Sequence, residues 1–309
     1  LYKRPWASLV FYRVLLLTEC ESHCFVYKGF HKNQNQKIRR KSMRQRKITS
    51  ILVAIAAVLC FSTIGFASTL SEIVKRGELR VAVQSGAAPY AFIDKHGEQA
   101  GSMIDFTKGM ADAMGVRLEI LDFDWDGLIP ALLSGKADIL AADMTPTLKR
   151  ALKISFTDPW IEVQPCVFTK NGATFQTLED VNKPEVTVGV LLGSTGENIA
   201  KKYLPKAKIK SYKGGGRMVV QALVAGHVDA GVNDDLAVLT VLPDFPPNSV
   251  RLLDKRLGLG KDSLSFAVRQ DSVNLWQWIN LYFKTIRSNG AYDENIAYWM
   301  EGTDWKKDH

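Results

Sequence analysis

The chain has 309 residues, room for about two ordinary domains of ~150 residues each. At 46% hydrophobic and 23% charged it is neither a disordered segment nor a disulfide-dense mini-protein. Its net charge of +8 suggests nucleic acid until the charge is located: residues 1–67 hold 12 Lys+Arg against 2 Asp+Glu, and the rest of the chain holds 28 against 30. The body is nearly neutral, so no phosphate-tracking surface and no nucleic-acid partner are expected.

The basic residues belong to a leader. Met43-Arg-Gln-Arg-Lys47 is a short cationic start, Ile51 to Phe61 is an unbroken apolar run, and Gly65-Phe66-Ala67 offers a small-x-small exit. This is the pattern of a secretory signal peptide over 43–67, cut after Ala67, and the apolar run is too short to span a bilayer. Residues 1–42 begin with Leu1, contain Cys20 and Cys24 and show no sustained period; they are expected to lie upstream of a start at Met43. Cys60 follows Ala57-Val58-Leu59, a poor context for lipidation. Beyond the leader one cysteine remains, Cys166 in an apolar stretch, expected as a buried structural thiol. No Cys/His cluster has metal-ligand spacing, so neither a metal nor a cofactor is expected.

From Ser71 onward strand-like and helix-like segments alternate. A short helix, Ser71 to Arg76, stops at Gly77 and Leu79–Val83 follows as a strand. Met103, Phe106 and Met110 mark one apolar helix face, Leu118–Leu121 a strand, Asp126–Leu133 a helix capped by Asp126, and Asp138–Ala141 a strand. The order then returns: strand 186–191, helix 194–203, strand 209–212, helix 218–225, strand 228–232, helix 234–241. Two helical patterns, 273–287 and 292–300, close the chain. Repeated βα order predicts two α/β lobes with parallel sheets covered by helices. The strand-like stretches Val163–Phe168 and Ser263–Val268 are placed to cross between the lobes as a hinge.

Nucleophile elbows, zinc-peptidase motifs and phosphate loops are absent from the sequence, and Gly214-Gly-Gly216 reads as a flexible lead into a helix. What remains is a set of polar groups just beyond strand ends, where open α/β sheets hold ligands. Asp143-Met-Thr145-Pro-Thr147-Leu-Lys-Arg150 follows the strand at 138–141; its threonine hydroxyl and arginine fork suit a carboxylate, and equally Thr147 is a turn cap beside a solvated Arg150. Gly193-Ser194-Thr195-Gly196-Glu197 reads as a Ser-x-x-Glu capping box at a helix amino terminus, a setting favourable to anions. Asn233-Asp234-Asp235 follows the strand at 228–232, with Asp234 either a helix cap or an acceptor for an ammonium group. Trp125 is either core or a stacking wall. Together these supply what an α-amino acid zwitterion requires.

Several runs resemble one family: Gly77-Glu-Leu-Arg-Val81 with Pro89-Tyr90-Ala-Phe92, Trp125-Asp-Gly-Leu-Ile-Pro-Ala-Leu132, Ser134-Gly-Lys-Ala-Asp138, Met144-Thr-Pro-Thr147 with Arg150, Val228-Asp-Ala230 with Asp234, and Ile286-Arg-Ser-Asn-Gly290. From about Leu70 to Trp305 the chain is similar to the polar amino acid-binding proteins of bacterial ABC transporters, extracellular solute-binding protein family 3. The resemblance implies a type II periplasmic binding protein fold: lobe 1 over 68–165 and 266–309, lobe 2 over 166–265, two hinge strands and a cleft. It implies a periplasmic monomer, not an enzyme, that captures a polar amino acid by closing and delivers it to a membrane permease. By position, Arg150 and Thr145 would hold the ligand carboxylate with help from the Ser194–Thr195 backbone. Asp234, beside Asn233, would take the α-amino group with Asp143 assisting, Trp125 would be the aromatic wall, and Tyr90 would join the site. Gln84 stands where members that bind cationic side chains often carry an acid, which favours a neutral polar ligand. The chain departs from the family in reading Gly101-Ser-Met-Ile-Asp105, in carrying Asp143 where a small residue is common, and in Arg217, whose charge has no assigned partner. The rival reading is a periplasmic cyclohexadienyl or arogenate dehydratase on the same scaffold.

Overall fold

The computed structural model describes residues 69–86, 88–253, 259–302 and 304–309. The expectations for the upstream stretch 1–42 and for the signal peptide with its cut after Ala67 lie outside the described residues.

Helix α1 (Thr69–Arg76) buries Ile73 and ends at Gly77, whose φ of 73° turns the chain into β1 (Glu78–Val83). A short hairpin of β2 (Phe92–Ile93) and β3 (Gln99–Ala100) leads to α2 (Ser102–Met114), whose Met103, Phe106 and Met110 are buried as their spacing predicts. Then come β4 (Arg117–Asp122), α3 (Trp125–Leu133), β5 (Ile139–Leu140), α4 (Leu148–Ala151) and β6 (Ile154–Phe156). Helix α3 starts one residue before the expected cap: Asp124, not Asp126, occupies the N-cap position.

Strand β7 (Ile161–Val163) precedes β8 (Pro165–Lys170), all of it buried except its last residue. A capping box at Thr177 starts the single turn α5 (Leu178–Val181). The middle of the chain continues with β9 (Thr187–Leu191), α6 (Thr195–Tyr203), β10 (Lys208–Tyr212), α7 (Gly216–Val224), β11 (Ala230–Asp234), α8 (Asp235–Leu239) and β12 (Val250–Leu252). Strand β11 runs through Asp234, so Asn233 and Asp234 are its last residues rather than its sequel. After β13 (Asp262–Leu264) and β14 (Ala267–Arg269), helices α9 (Val273–Ser288) and α10 (Ala291–Ile296) complete the first half's core.

Two five-stranded sheets result, in the orders β4-β1-β5-β14-β6 and β10-β9-β11-β8-β12. The expectation of parallel sheets holds for four strands of each. Strands β14 and β8 run antiparallel to the rest because they carry the chain into each sheet from the crossing, not from a covering helix. The crossing itself is a two-stranded ribbon, β7 paired with β13 (Asp262 opposite Val163, Leu264 opposite Ile161).

The two cores differ in chemistry. That of the first sheet is aromatic: Phe106 meets Trp160, Phe283 and Tyr292 with ring centroids 5.8, 5.2 and 5.9 Å away. Around the second sheet the buried apolar residues are chiefly valine and leucine, among them Val167, Val188, Val190 and Val232. Gly196 lets α6 approach β11 closely, since a Cβ there would stand 2.6 Å from the Val232 carbonyl oxygen. Cys166 is buried in this second core.

Candidate functional site

A cavity of about 440 Å³ lies between the two sheets, at the carboxyl ends of their strands. The first sheet's half supplies Gln84 after β1, Asp122–Trp125 between β4 and α3, and Asp143 with Thr145 after β5. The second half supplies Leu191, Ser194 and Thr195 after β9, Gly214–Met218 after β10, and Asn233 and Asp234 at the end of β11.

Local chemistry fixes most of these groups. The Ser194 hydroxyl accepts the Glu197 N–H at 3.1 Å and so caps α6, while the Glu197 carboxylate accepts the Gly193 N–H at 2.7 Å. This is the expected Ser-x-x-Glu motif with its second bond moved one residue upstream, and it sets the amino terminus of α6, with Ser194 and Thr195, against the cavity. Asp234 caps α8 by accepting the Ala237 N–H at 2.7 Å. Thr147 caps α4 through the Arg150 N–H at 3.2 Å, which places the Arg150 side chain beside the cleft.

Hydrogen bonds join the two halves directly. The Gln84 amide and the Trp125 N–H both donate to the Gly214 carbonyl, at 2.9 and 3.0 Å. Arg150 donates through Nη1 to the Thr145 carbonyl at 2.7 Å and through Nη2 to the Gly193 carbonyl at 3.0 Å, its guanidinium 5.3 Å from the centre of the Trp125 ring. These bonds tie the two halves together across the cleft, and Gly214-Gly-Gly216 is a wall of it rather than a flexible lead. A Cβ on Gly215 would meet the Gln84 amide nitrogen at 2.7 Å.

Carboxylates dominate the interior. Burial pushes the Asp234 carboxyl up to about 7; Asp143 beside it adds to the rise and the Ala237 N–H opposes it. Burial likewise raises Asp143, against its own backbone N–H and the Arg150 charge. It also draws Arg150 down, against the pull of Asp262 and Asp143. Burial raises the Asp262 carboxyl, against the pull of its neighbours Ser263, Thr145 and Arg150. Two buried acids facing each other across the cleft, with an arginine and a helix amino terminus beside them, can hold a small molecule with a positive and a negative end.

Of the ten residues singled out by sequence, Gln84, Trp125, Asp143, Thr145, Ser194, Thr195, Asn233 and Asp234 line the cavity together. Two do not. Tyr90 packs its ring into the first core, 1% exposed and edge-on to Trp160 at 5.9 Å, while burial and the nearby charges of Asp234 and Asp143 raise its hydroxyl. Arg150 borders the cavity behind Trp125 and latches the lobes instead of forming a wall. Arg217 also lines the mouth; it pairs with Asp244 and lies over the Phe245 ring at 5.3 Å. Sequence reasoning missed Asp122, Phe123 and Asp124, although they follow a strand end just as Asp143 does.

The sequence profile of the bacterial extracellular solute-binding proteins, family 3, matches residues 79–302. The arginine-binding extracellular protein of Bacillus subtilis is 27% identical over 272 residues, covering 83% of this chain and 99% of that one. The cyclohexadienyl dehydratase of Pseudomonas aeruginosa is 27% identical over 191 residues, covering 61% of this chain and 71% of that one. Among solved structures, an ancestral amino acid-binding protein, described as a precursor of cyclohexadienyl dehydratase, is 36% identical, with a TM-score of 0.68, over 75% of this chain and 99% of its own. An ancestral arginine-binding protein bound to arginine is 33% identical, with a TM-score of 0.66, over 73% of this chain and 99% of its own.

Proposed function

Because the chain belongs to the bacterial extracellular solute-binding proteins, family 3, we propose that it captures a free amino acid in the periplasm by lobe closure and delivers it to the membrane permease of an ABC transporter. The observation that carries this reading is the facing of Asp143 and Asp234 across one cavity bordered by Arg150 and the amino terminus of α6. Asp234, with Asp143 assisting, receives the α-ammonium group. The ligand carboxylate sits against the Ser194–Thr195 amides, with the Arg150 guanidinium and Thr145 behind it, and Trp125 walls the side chain.

Each lobe holds part of this set, so only the shut form makes every contact and the ligand shifts the population toward it. Exclusion of water strengthens the charged interactions and penalises a ligand that leaves either end unpaired. Lobe 1 is assigned 68–165 and 266–309 and lobe 2 166–265, and the protein acts as a monomer.

A thermal-shift screen against the free amino acids tests this: at least one raises the melting temperature of the parent, and Arg150→Ala, which removes the charge beside the carboxylate end, weakens its binding by about 10- to 100-fold in calorimetry. Unchanged affinity in Arg150→Ala overturns the assignment of the carboxylate end.

Asp143 favours a second reading. A buried carboxyl held up in the cavity is a potential proton donor to a leaving hydroxyl, and the chain resembles a dehydratase. On that reading prephenate loses its hydroxyl and carboxyl groups to give an aromatic product. Incubation with prephenate decides it: a new aromatic absorbance establishes dehydration, and its absence leaves binding alone.

A further inference from the structure

Resting on the reading that the cavity takes an amino acid, we propose that the ligand's side chain is cationic and that Asp122 and Asp124 meet it. Both line the same cavity as Asp143 and Asp234, beside Phe123, Trp125 and Gln84. Both are exposed, whereas Asp143 and Asp234 are half-buried.

Asp124 is informative because it occupies the N-cap of α3 with extended backbone, φ −62° and ψ 154°, yet its side chain makes no capping bond. Aspartate is among the preferred caps, and capping stabilises a helix by about 1 kcal/mol. Here the carboxylate lines the cavity instead. Asp122 is held in place through one oxygen, which accepts the Ser85 N–H at 2.7 Å. Among the described residues neither acid has a salt-bridge partner.

Charge balance points the same way. Four aspartates line the cavity; of the two arginines beside them, Arg217 is already paired with Asp244 and Arg150 faces the inner Asp143. A zwitterion brings no net charge, so a neutral amino acid leaves the outer acids uncompensated. A guanidinium or ammonium at the end of the side chain neutralises them between the aromatic faces of Phe123 and Trp125. Gln84 points to the opposite conclusion only when read alone. Its amide is committed to the Gly214 carbonyl, and the negative charge that its position lacks is supplied by the 122–124 segment.

Calorimetry with L-arginine, L-lysine and L-citrulline tests the proposal, since citrulline matches arginine in length and shape but carries no side-chain charge. Arginine or lysine binds about tenfold or more tightly than citrulline at low salt, and this preference shrinks about fivefold in the isosteric double variant Asp122→Asn, Asp124→Asn. Citrulline or glutamine binding as tightly as the basic amino acids overturns the inference while the amino acid reading stands. A preference for the basic amino acids that is unchanged in the double variant overturns the roles of Asp122 and Asp124. Binding of no amino acid at all overturns the underlying reading, and this inference with it.

Discussion

The same local device opens one strand in each sheet. Gly135-Lys-Ala-Asp138 precedes β5 and Gly226-His-Val-Asp229 precedes β11. The Asp138 N–H donates to the Arg80 carbonyl while its carboxylate accepts the Arg80 N–H at 3.0 Å. Asp229 does the same with Thr187, its carboxylate accepting that N–H at 2.8 Å. Both rings pin a strand to its parallel neighbour. Their surroundings differ: Asp138 is 1% exposed and also holds Arg80 at 2.9 Å and Arg76, whereas Asp229 is exposed. One motif therefore sets register twice, and only burial decides how much stability depends on it.

The largest test of that contrast is Asp138→Ala. It leaves two part-exposed arginines without their shared partner and breaks the bond to the Arg80 N–H, and should lower unfolding free energy by about 2–3 kcal/mol in urea titration. Next, Gly196→Ala probes the second core without touching charge. The added methyl is driven against the Val232 carbonyl, and a loss of about 1–3 kcal/mol is expected in the same titration.

A third test contrasts Asp138, fixed by arginines, with Asp234, whose carboxyl is raised to about 7. A raised folded value means that the native state binds more protons than the unfolded chain between the ordinary carboxylate value and about 7. Stability from this group is therefore present in acid and is lost as pH rises through 7. Thermal melts of the ligand-free protein should show a melting temperature that falls between pH 5 and 8. Ligand ammonium needs the ionised form, so affinity should rise about tenfold from pH 6 to 8 in calorimetry. In Asp234→Asn the melting-temperature slope flattens.

Asp229→Ala sharpens the opening comparison from its weaker side: loss of one exposed carboxylate-to-backbone bond should lower stability by about 1 kcal/mol in urea titration. The smallest effect is expected for Arg217→Ala. Its pair with Asp244 is about half exposed at both ends, and the change in urea titration should stay under about 1 kcal/mol.

The alternation of apolar segments made the two α/β halves legible, because each covering helix carries its own 3.6-residue pattern. The edge strands and the reversed strands were not legible. Ile154–Phe156 and Val250–Leu252 are three residues each and carry no period, and the reversed direction of Pro165–Lys170 and Ala267–Arg269 depends on where the crossing sends the chain rather than on any local signal. At the candidate site, the strand-end rule pointed to Asp143, Thr145, Ser194 and Asp234, which line one cavity. It was not applied after β4, so Asp122 and Asp124 went unseen. Tyr90 does not line the cavity, since its position in a motif says nothing of which way the ring turns, although its hydroxyl lies near enough to feel the charges of Asp234 and Asp143. Gly214 was undervalued because its part is played by a carbonyl, which composition cannot display.

That last point reaches beyond one glycine. The bonds spanning the cleft from Gln84, Trp125 and Arg150 all end on main-chain oxygens of Gly214 and Gly193. A backbone acceptor survives any substitution that preserves the path of the chain. The tightness of shutting is thus adjustable by side-chain replacement on one shore, whereas the opposite shore is tied to glycine, since Gly193 and Gly214 hold φ of 75° and 91° and Gly215 has no room for a Cβ.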